Sequence, residues 1–158
     1  MSETPARLVQ TGAPEETEAL GRAFGETAPA GGLLALTGEL GAGKTCFVRG
    51  LAAGLGADAD EVHSPSFIMM TEYRGGRLPL HHVDLYRLEQ SRIDEIWLRD
   101  ALYGNGVAAV EWFDRLGAAS PDDFMAVEFR YRSPDGRTIR VTARGARHAR
   151  WLAAALGD

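Results

Sequence analysis

The sequence predicts a three-layer α/β domain of the P-loop NTPase kind, with a central parallel sheet and antiparallel edge strands. Three observations carry this. Short apolar runs with the length and flanks of buried strands, GLLALTG (32–38) and VAAVE (107–111), alternate with segments of helical period. A late tract, MAVEFRYRSPDGRTIRVTARG, reads as a hairpin around SPDG. GELGAGKT, at 38–45, is a full phosphate-loop pattern with a strand before it and a helix after it. At 158 residues the chain has room for one domain with a real core and little for a second, so residues 1–158 are expected to form a single domain.

Taken in order, RLVQT is a short strand following a polar start. GAPEETEALGRAFGE is a helix, with Pro14 in its first turn, three glutamates nearby and Leu20 and Phe24 on one face. KTCFVRGLAAGLG is the second helix, with Phe47, Leu51 and Leu55 at helical spacing and Gly56 as its stop. SFIMMTEYRGGRLPLHHVDLYRL gives two strands joined at RGGR. SRIDEIWLRDALYGNG is predicted to be a helix capped by Ser91, with Asp94 in capping-box position. VAAVE is a buried strand, and the last dozen residues form a closing helix.

Composition narrows the function. The net charge of −5 argues against a large basic field for gripping nucleic acid. Arg130, Arg132, Arg137, Arg140, Arg144, Arg147 and Arg150 crowd the last third of the chain, a pattern that fits a solvated face better than an anionic-partner face. Cys46 is the only cysteine, so there is neither a disulfide framework nor a cysteine metal site. No apolar run approaches the ~20 residues of a membrane span, and the N-terminal segment lacks a signal-peptide pattern, so a cytoplasmic location is expected.

In the phosphate loop, glycines let successive backbone N–H groups converge on phosphate oxygens, and the following helix adds its positive end. The expected nucleotide-binding residues are Glu39, Gly41, Ala42, Gly43, Lys44, Thr45 and Cys46. Lys44 is the point charge for the β- and γ-phosphates and Thr45 supplies a hydroxyl to Mg²⁺. A chance glycine-rich turn is the bland alternative, and the flanking strand and helix weigh against it. Carboxylates are needed to complete the Mg²⁺ shell and handle the attacking water. They belong at the C-terminal ends of strands, where Asp84 closes PLHHVD and Glu111 closes VAAVE. Either one, taken singly, also fits a helix cap or a solvated strand end.

The remaining features are weaker. His81 and His82 are adjacent on a strand and point to opposite faces, so they do not share an ion. Together with His63 they read as solvated or packed residues. Ser66 sits where a nucleotide-sensing hydroxyl would lie, or in a plain turn. Trp112 follows Glu111 and is either near the nucleotide or a core or partner-facing tryptophan. A GTPase is disfavoured: DRLG (114–117) follows the last candidate acid, and Asn105 is the only asparagine, so no NKxD motif exists. A stand-alone small-molecule kinase stays open as the alternative, with RYRSPDGR as a possible arginine lid, although that segment reads better as a hairpin.

GELGAGKTCFVRGLAAGLG, HSPSF, HHVDLYRL and VEWFDRLG, in that order and spacing, closely resemble the bacterial TsaE (YjeE) family, from about residue 14 to 143. The resemblance implies a small, weakly active ATPase needed for threonylcarbamoyladenosine synthesis on the tRNA base beside the anticodon. It also implies TsaD and TsaB as partners and tRNA reached only through that complex. ATP and Mg²⁺ are the implied cofactors. Thr45 and Glu111 are then the Mg²⁺ ligands, Asp84 the acid needed for hydrolysis, and Trp112 a nucleotide-adjacent aromatic. Two departures are visible: SPS stands in place of SPT, which keeps a hydroxyl at Ser66, and Cys46 follows GKT where a second threonine is common.

Overall fold

The computed structural model describes residues 4–38, 43–63, 65 and 69–157. Seven strands form one sheet: β1 (Ala6–Thr11), β2 (Leu33–Gly38), β3 (Met70–Tyr73), β4 (Leu80–Asp84), β5 (Val107–Glu111), β6 (Phe124–Tyr131) and β7 (Arg137–Arg144). Their spatial order is β1-β7-β6-β2-β5-β4-β3. The central four, β6, β2, β5 and β4, run parallel; β3 pairs antiparallel with β4 at one edge, and at the other β7 pairs antiparallel with both β6 and β1. This is the expected sheet. RYRSPDGR is the turn of the β6–β7 hairpin, as the better of its two readings had it.

The helices are α1 (Pro14–Thr27), α2 (Lys44–Leu55), α3 (Ile96–Tyr103) and α4 (Ala146–Leu156). Alternation along the central strands divides the core in two. Leu34 and Leu36 of β2, with Val107 and Ala109 of β5, pack against α1, α2 and α4. Leu33 and Ala35, with Ala108 and Val110, face the other way, toward α3. Phe24, Phe47, Phe129 and Trp151 interlock at centroid separations of 5.7–5.8 Å in the first of these layers.

Helices α1 and α2 touch backbone to backbone. A Cβ placed on Gly50 would lie 1.8 Å from the Glu18 carbonyl oxygen, and one on Gly21 would lie 2.0 Å from that of Phe47. Only glycine admits such an approach. The contact fixes the axis of α2 and therefore the aim of its N-terminus. Gly56 ends the helix in the left-handed region, as expected, with its own N–H and that of Ala57 returning to Ala53 and Ala52.

One expected boundary is corrected. Ser91 does not cap a helix: it lies in a short 3₁₀ turn, Gln90–Arg92, and α3 starts at Ile96. Arg92 reaches forward to Glu95 with both arms of its guanidinium, at 2.6 and 3.1 Å, and the Trp97 indole N–H bonds the same carboxylate. That local cluster holds residues 92–95 out of the helix. Its bidentate geometry competes with the capping preference of Ser91.

Candidate functional site: the N-terminus of α2 against the ends of β4 and β5

Strand β2 ends at Gly38 and α2 begins at Lys44; the predicted Glu39, Gly41 and Ala42 lie outside the described residues. Gly43, the residue before α2, has φ 106°, a left-handed conformation that glycine adopts without strain. No side chain caps this helix. The N–H of Phe47 is the first to find its partner inside the helix, at the carbonyl of Gly43. The N–H groups of Lys44, Thr45 and Cys46 therefore precede the helical ladder, as the first donors of any helix do, and they carry the positive end of its dipole. Such a helix start can receive an anion.

The acids reach it because of strand periodicity. Residues two apart on a strand share a face, so His82 and Asp84 lie on the same side of β4 as Leu80, which packs in the α1–α2 layer. Asp84 and Glu111 are register partners across the parallel β4–β5 pair. Glu111 continues the face of Val107 and Ala109. Both acids thus point toward α2, and both are buried, at 4% and 6% exposure.

Lys44 is likewise nearly buried. Its ammonium donates to the Gly38 carbonyl at 3.0 Å and stands 3.7 Å from Glu111 Oε1. The other oxygen, Oε2, accepts a hydrogen bond from His82 Nε2 at 2.8 Å. Asp84 is ordered differently: its Oδ1 accepts from the Tyr86 N–H at 2.9 Å, and its own N–H donates to the Met69 carbonyl at 2.7 Å.

Trp112 has φ 59°, and Met69 has φ 64°; these are the two non-glycine residues with positive φ among the described residues. A bulky residue in this region costs about 1–2 kcal/mol and such outliers gather at functional sites. At Trp112 the conformation reverses the chain immediately after Glu111. The half-exposed indole then packs at a tilt against Tyr86, 4.9 Å between centroids, and lies 5.9 Å from the Lys44 ammonium. Arg115 covers the Tyr86 ring at 5.6 Å.

Lys44, Asp84, Glu111 and Trp112 are therefore brought together, and Gly43, Thr45 and Cys46 stand at the adjoining helix start. Ser66 lies outside the described residues. His81 points away, with Nε2 3.6 Å from Glu72, and burial lowers its pKa from the usual imidazole range. His63 bonds the nearby Glu61 carbonyl. Arg130, Arg132, Arg140, Arg144, Arg147 and Arg150 are exposed, in keeping with a solvated face, whereas Arg137 is half-buried with its guanidinium over the Tyr131 ring at 4.2 Å. Two members of the site escape the sequence reading. His82 was legible through its i, i+2 spacing from Asp84, whereas nothing local marks Tyr86 as the partner of a tryptophan 26 positions away.

Among the described residues no group of three or more His, Cys, Asp or Glu stands together to hold a metal. Thr45 and Glu111 instead offer hard oxygen donors of the kind Mg²⁺ accepts beside nucleotide phosphates, where a few protein oxygens suffice. The donor set fits that ion. No helix among the described residues is long and apolar enough to cross a membrane.

The family described as "Threonylcarbamoyl adenosine biosynthesis protein TsaE" matches residues 11–139, a span that includes every site residue above. A Bacillus subtilis protein named tRNA threonylcarbamoyladenosine biosynthesis protein TsaE is 38% identical over 135 residues, covering 85% of this chain and 84% of that protein. A Treponema pallidum protein of the same name is 37% identical over 128 residues, covering 80% of this chain and 93% of its own. The crystal structure of Bacillus subtilis YdiB matches the fold with a TM-score of 0.79 and 33% identity, over 96% of this chain and 95% of that one.

Proposed function

The chain belongs to the TsaE family, and from that premise we propose that it is the ATP-binding, ATP-hydrolysing subunit of the machinery that makes threonylcarbamoyladenosine beside the tRNA anticodon, acting with TsaD and TsaB. The observation that carries the nucleotide part is the buried Lys44 ammonium beside Glu111 at the start of an uncapped helix. Such a cation, next to the leading N–H groups of a helix and a hard carboxylate, has little structural use and suits a polyphosphate with its metal.

The residues divide the work. Backbone N–H groups from Gly43 to Cys46 receive phosphate oxygens. Lys44 exchanges the Gly38 carbonyl and Glu111 for the β- and γ-phosphates. Thr45 and Glu111 would hold Mg²⁺, which would supply charge neutralisation to the phosphates. Asp84, ordered by the Tyr86 N–H, aligns the attacking water and accepts a hydrogen bond from it. Trp112, braced by Tyr86, lies over the ammonium.

The chain's net charge of −5 favours contact with tRNA through a partner rather than directly. Hydrolysis by the isolated protein is slow, and the ATP-bound form docks on a TsaD–TsaB pair that hydrolysis then resets. The stretch Asp84–Arg87, which leaves β4 beside the site, is the segment best placed to report the γ-phosphate.

The test is reconstitution of the three proteins with tRNA, the threonylcarbamoyl donor and ATP, counting modified adenosines per TsaD. Omitting this protein, or supplying Asp84→Ala, should limit the count to about one round. Unchanged multiple-turnover modification would overturn the proposal.

A further inference from the structure

His82 is fully buried on β4, 29 residues from Glu111 in sequence, yet its Nε2 lies 2.8 Å from Glu111 Oε2. A carboxylate can only accept, so the imidazole Nε2–H is the donor. The other ring nitrogen, Nδ1, is buried with no hydrogen-bond partner among the described residues. His148, the other fully buried histidine, differs: both of its nitrogens are bonded to backbone groups. Burying an unpaired polar atom is costly, and an apolar side chain would fill the same space without that cost. The single bond to Glu111 is what distinguishes a histidine from a leucine at this position.

That bond makes the two oxygens of Glu111 unequal. Oε2 is tied to the sheet, and Oε1 is left facing the Lys44 ammonium and the start of α2. A glutamate without such a tether turns freely about its terminal torsion, which is broad and roughly two-fold. Ligating carboxylates are commonly held by an outer hydrogen bond, and its loss typically costs 10–100-fold in metal affinity.

We infer that His82 is a positioning residue: it fixes the Glu111 carboxylate so that Oε1 is presented to the divalent cation accompanying a bound nucleotide. The inference rests on the nucleotide reading above, and the two can fail separately. ADP binding is titrated calorimetrically against Mg²⁺, and again in EDTA, for the wild type, His82→Leu and His82→Gln.

His82→Leu should raise the Mg²⁺ concentration for half-maximal tightening at least about tenfold. Its metal-free ADP affinity should stay within about twofold of wild type, and its thermal midpoint should not fall. His82→Gln, whose amide nitrogen lies near the imidazole Nε2 position, should recover most of the Mg²⁺ response. An unchanged Mg²⁺ requirement in His82→Leu overturns the inference, as does an equal loss of metal-free affinity, which would mark a merely structural role. If the leucine variant does not fold, His82→Asn decides, because its short amide stops before Glu111. It should titrate as predicted for leucine, and a wild-type titration would sink the idea. A wild type that binds ADP without any Mg²⁺ effect would instead remove the nucleotide–metal reading itself.

Discussion

Lys44 and Glu111 stand 3.7 Å apart, nitrogen to oxygen, with side chains only 10% and 8% exposed. One comes from the first turn of α2 and the other from the last residue of β5. Neither is in a place where an ion pair would be selected for stability, because desolvating two charges offsets most of their attraction. Their closeness is better understood as a poised site.

Removing the cation should therefore be felt first in binding. Lys44→Ala should weaken Mg²⁺–ATP binding by about tenfold to a hundredfold, the scale of a charged hydrogen bond of roughly 1.5–3 kcal/mol. Titration calorimetry measures it. Unchanged affinity would remove the phosphate-loop assignment.

The two acids should separate by function. Asp84→Asn keeps an acceptor for the Tyr86 N–H, so nucleotide affinity should hold within a fewfold while turnover falls by about a hundredfold or more. Glu111→Ala should raise the Mg²⁺ requirement instead. Steady-state hydrolysis across a Mg²⁺ series distinguishes them, and the reverse pattern would exchange their roles.

Trp112 is the natural reporter. Trp151 is buried, with its indole N–H on the Phe24 carbonyl, and Trp97 is held by Glu95. Only Trp112 lies beside Lys44. Addition of ADP should change the intrinsic fluorescence, and Trp112→Phe should abolish most of that change. A full signal in the variant would place the nucleotide elsewhere.

The contact between α1 and α2 should tolerate no methyl group. Gly50→Ala would drive a Cβ into the Glu18 carbonyl, and the helices must part to admit it. A loss of at least about 2 kcal/mol is expected, on the scale of overpacked cores. Nucleotide affinity should fall with it, because the same contact aims α2. Chemical denaturation and calorimetry check the pair.

Acid should destabilise the fold through His148. Its Nε2 accepts the Leu33 N–H, and its Nδ1–H donates to the Arg144 carbonyl. Burial is the main cause holding its pKa below the usual imidazole range, against a smaller opposing effect of the bond to Arg144. The unfolded imidazole takes up a proton more readily than the folded one. The stabilisation is thus complete above about pH 6.5 and lost as pH falls toward the folded value. His81, lowered by burial in the same direction, adds to it. The thermal midpoint should be lower at pH 5 than at pH 7.5, and His148→Gln should narrow the difference.

Much of this was legible in the residues alone, because the signals are local. The strand and the helix expected on either side of GELGAGKT are β2 and α2. Asp84 and Glu111 declare themselves as acids closing apolar runs, and the parallel centre with a late hairpin follows from the alternation of periods. Where a local signal meets a competing local contact, as at Ser91 against the Arg92–Glu95 pair, the helix starts a few residues later than the cap signal predicts.

Tertiary structure decided what depends on register between distant segments. That Glu111 meets Lys44 with one oxygen and His82 with the other follows from the pairing of β4 with β5 and from the packing of α2 over that face. The left-handed turn that lays Trp112 on Tyr86 is likewise imposed by the fold, since tryptophan has no intrinsic preference for it. Sequence alone determined which chemical groups this protein carries and at which strand and helix ends. Only the folded sheet determined which of them face one another, because a strand's period of two sends neighbouring residues to opposite faces, and the partners across the sheet are chosen by contacts that no local stretch contains.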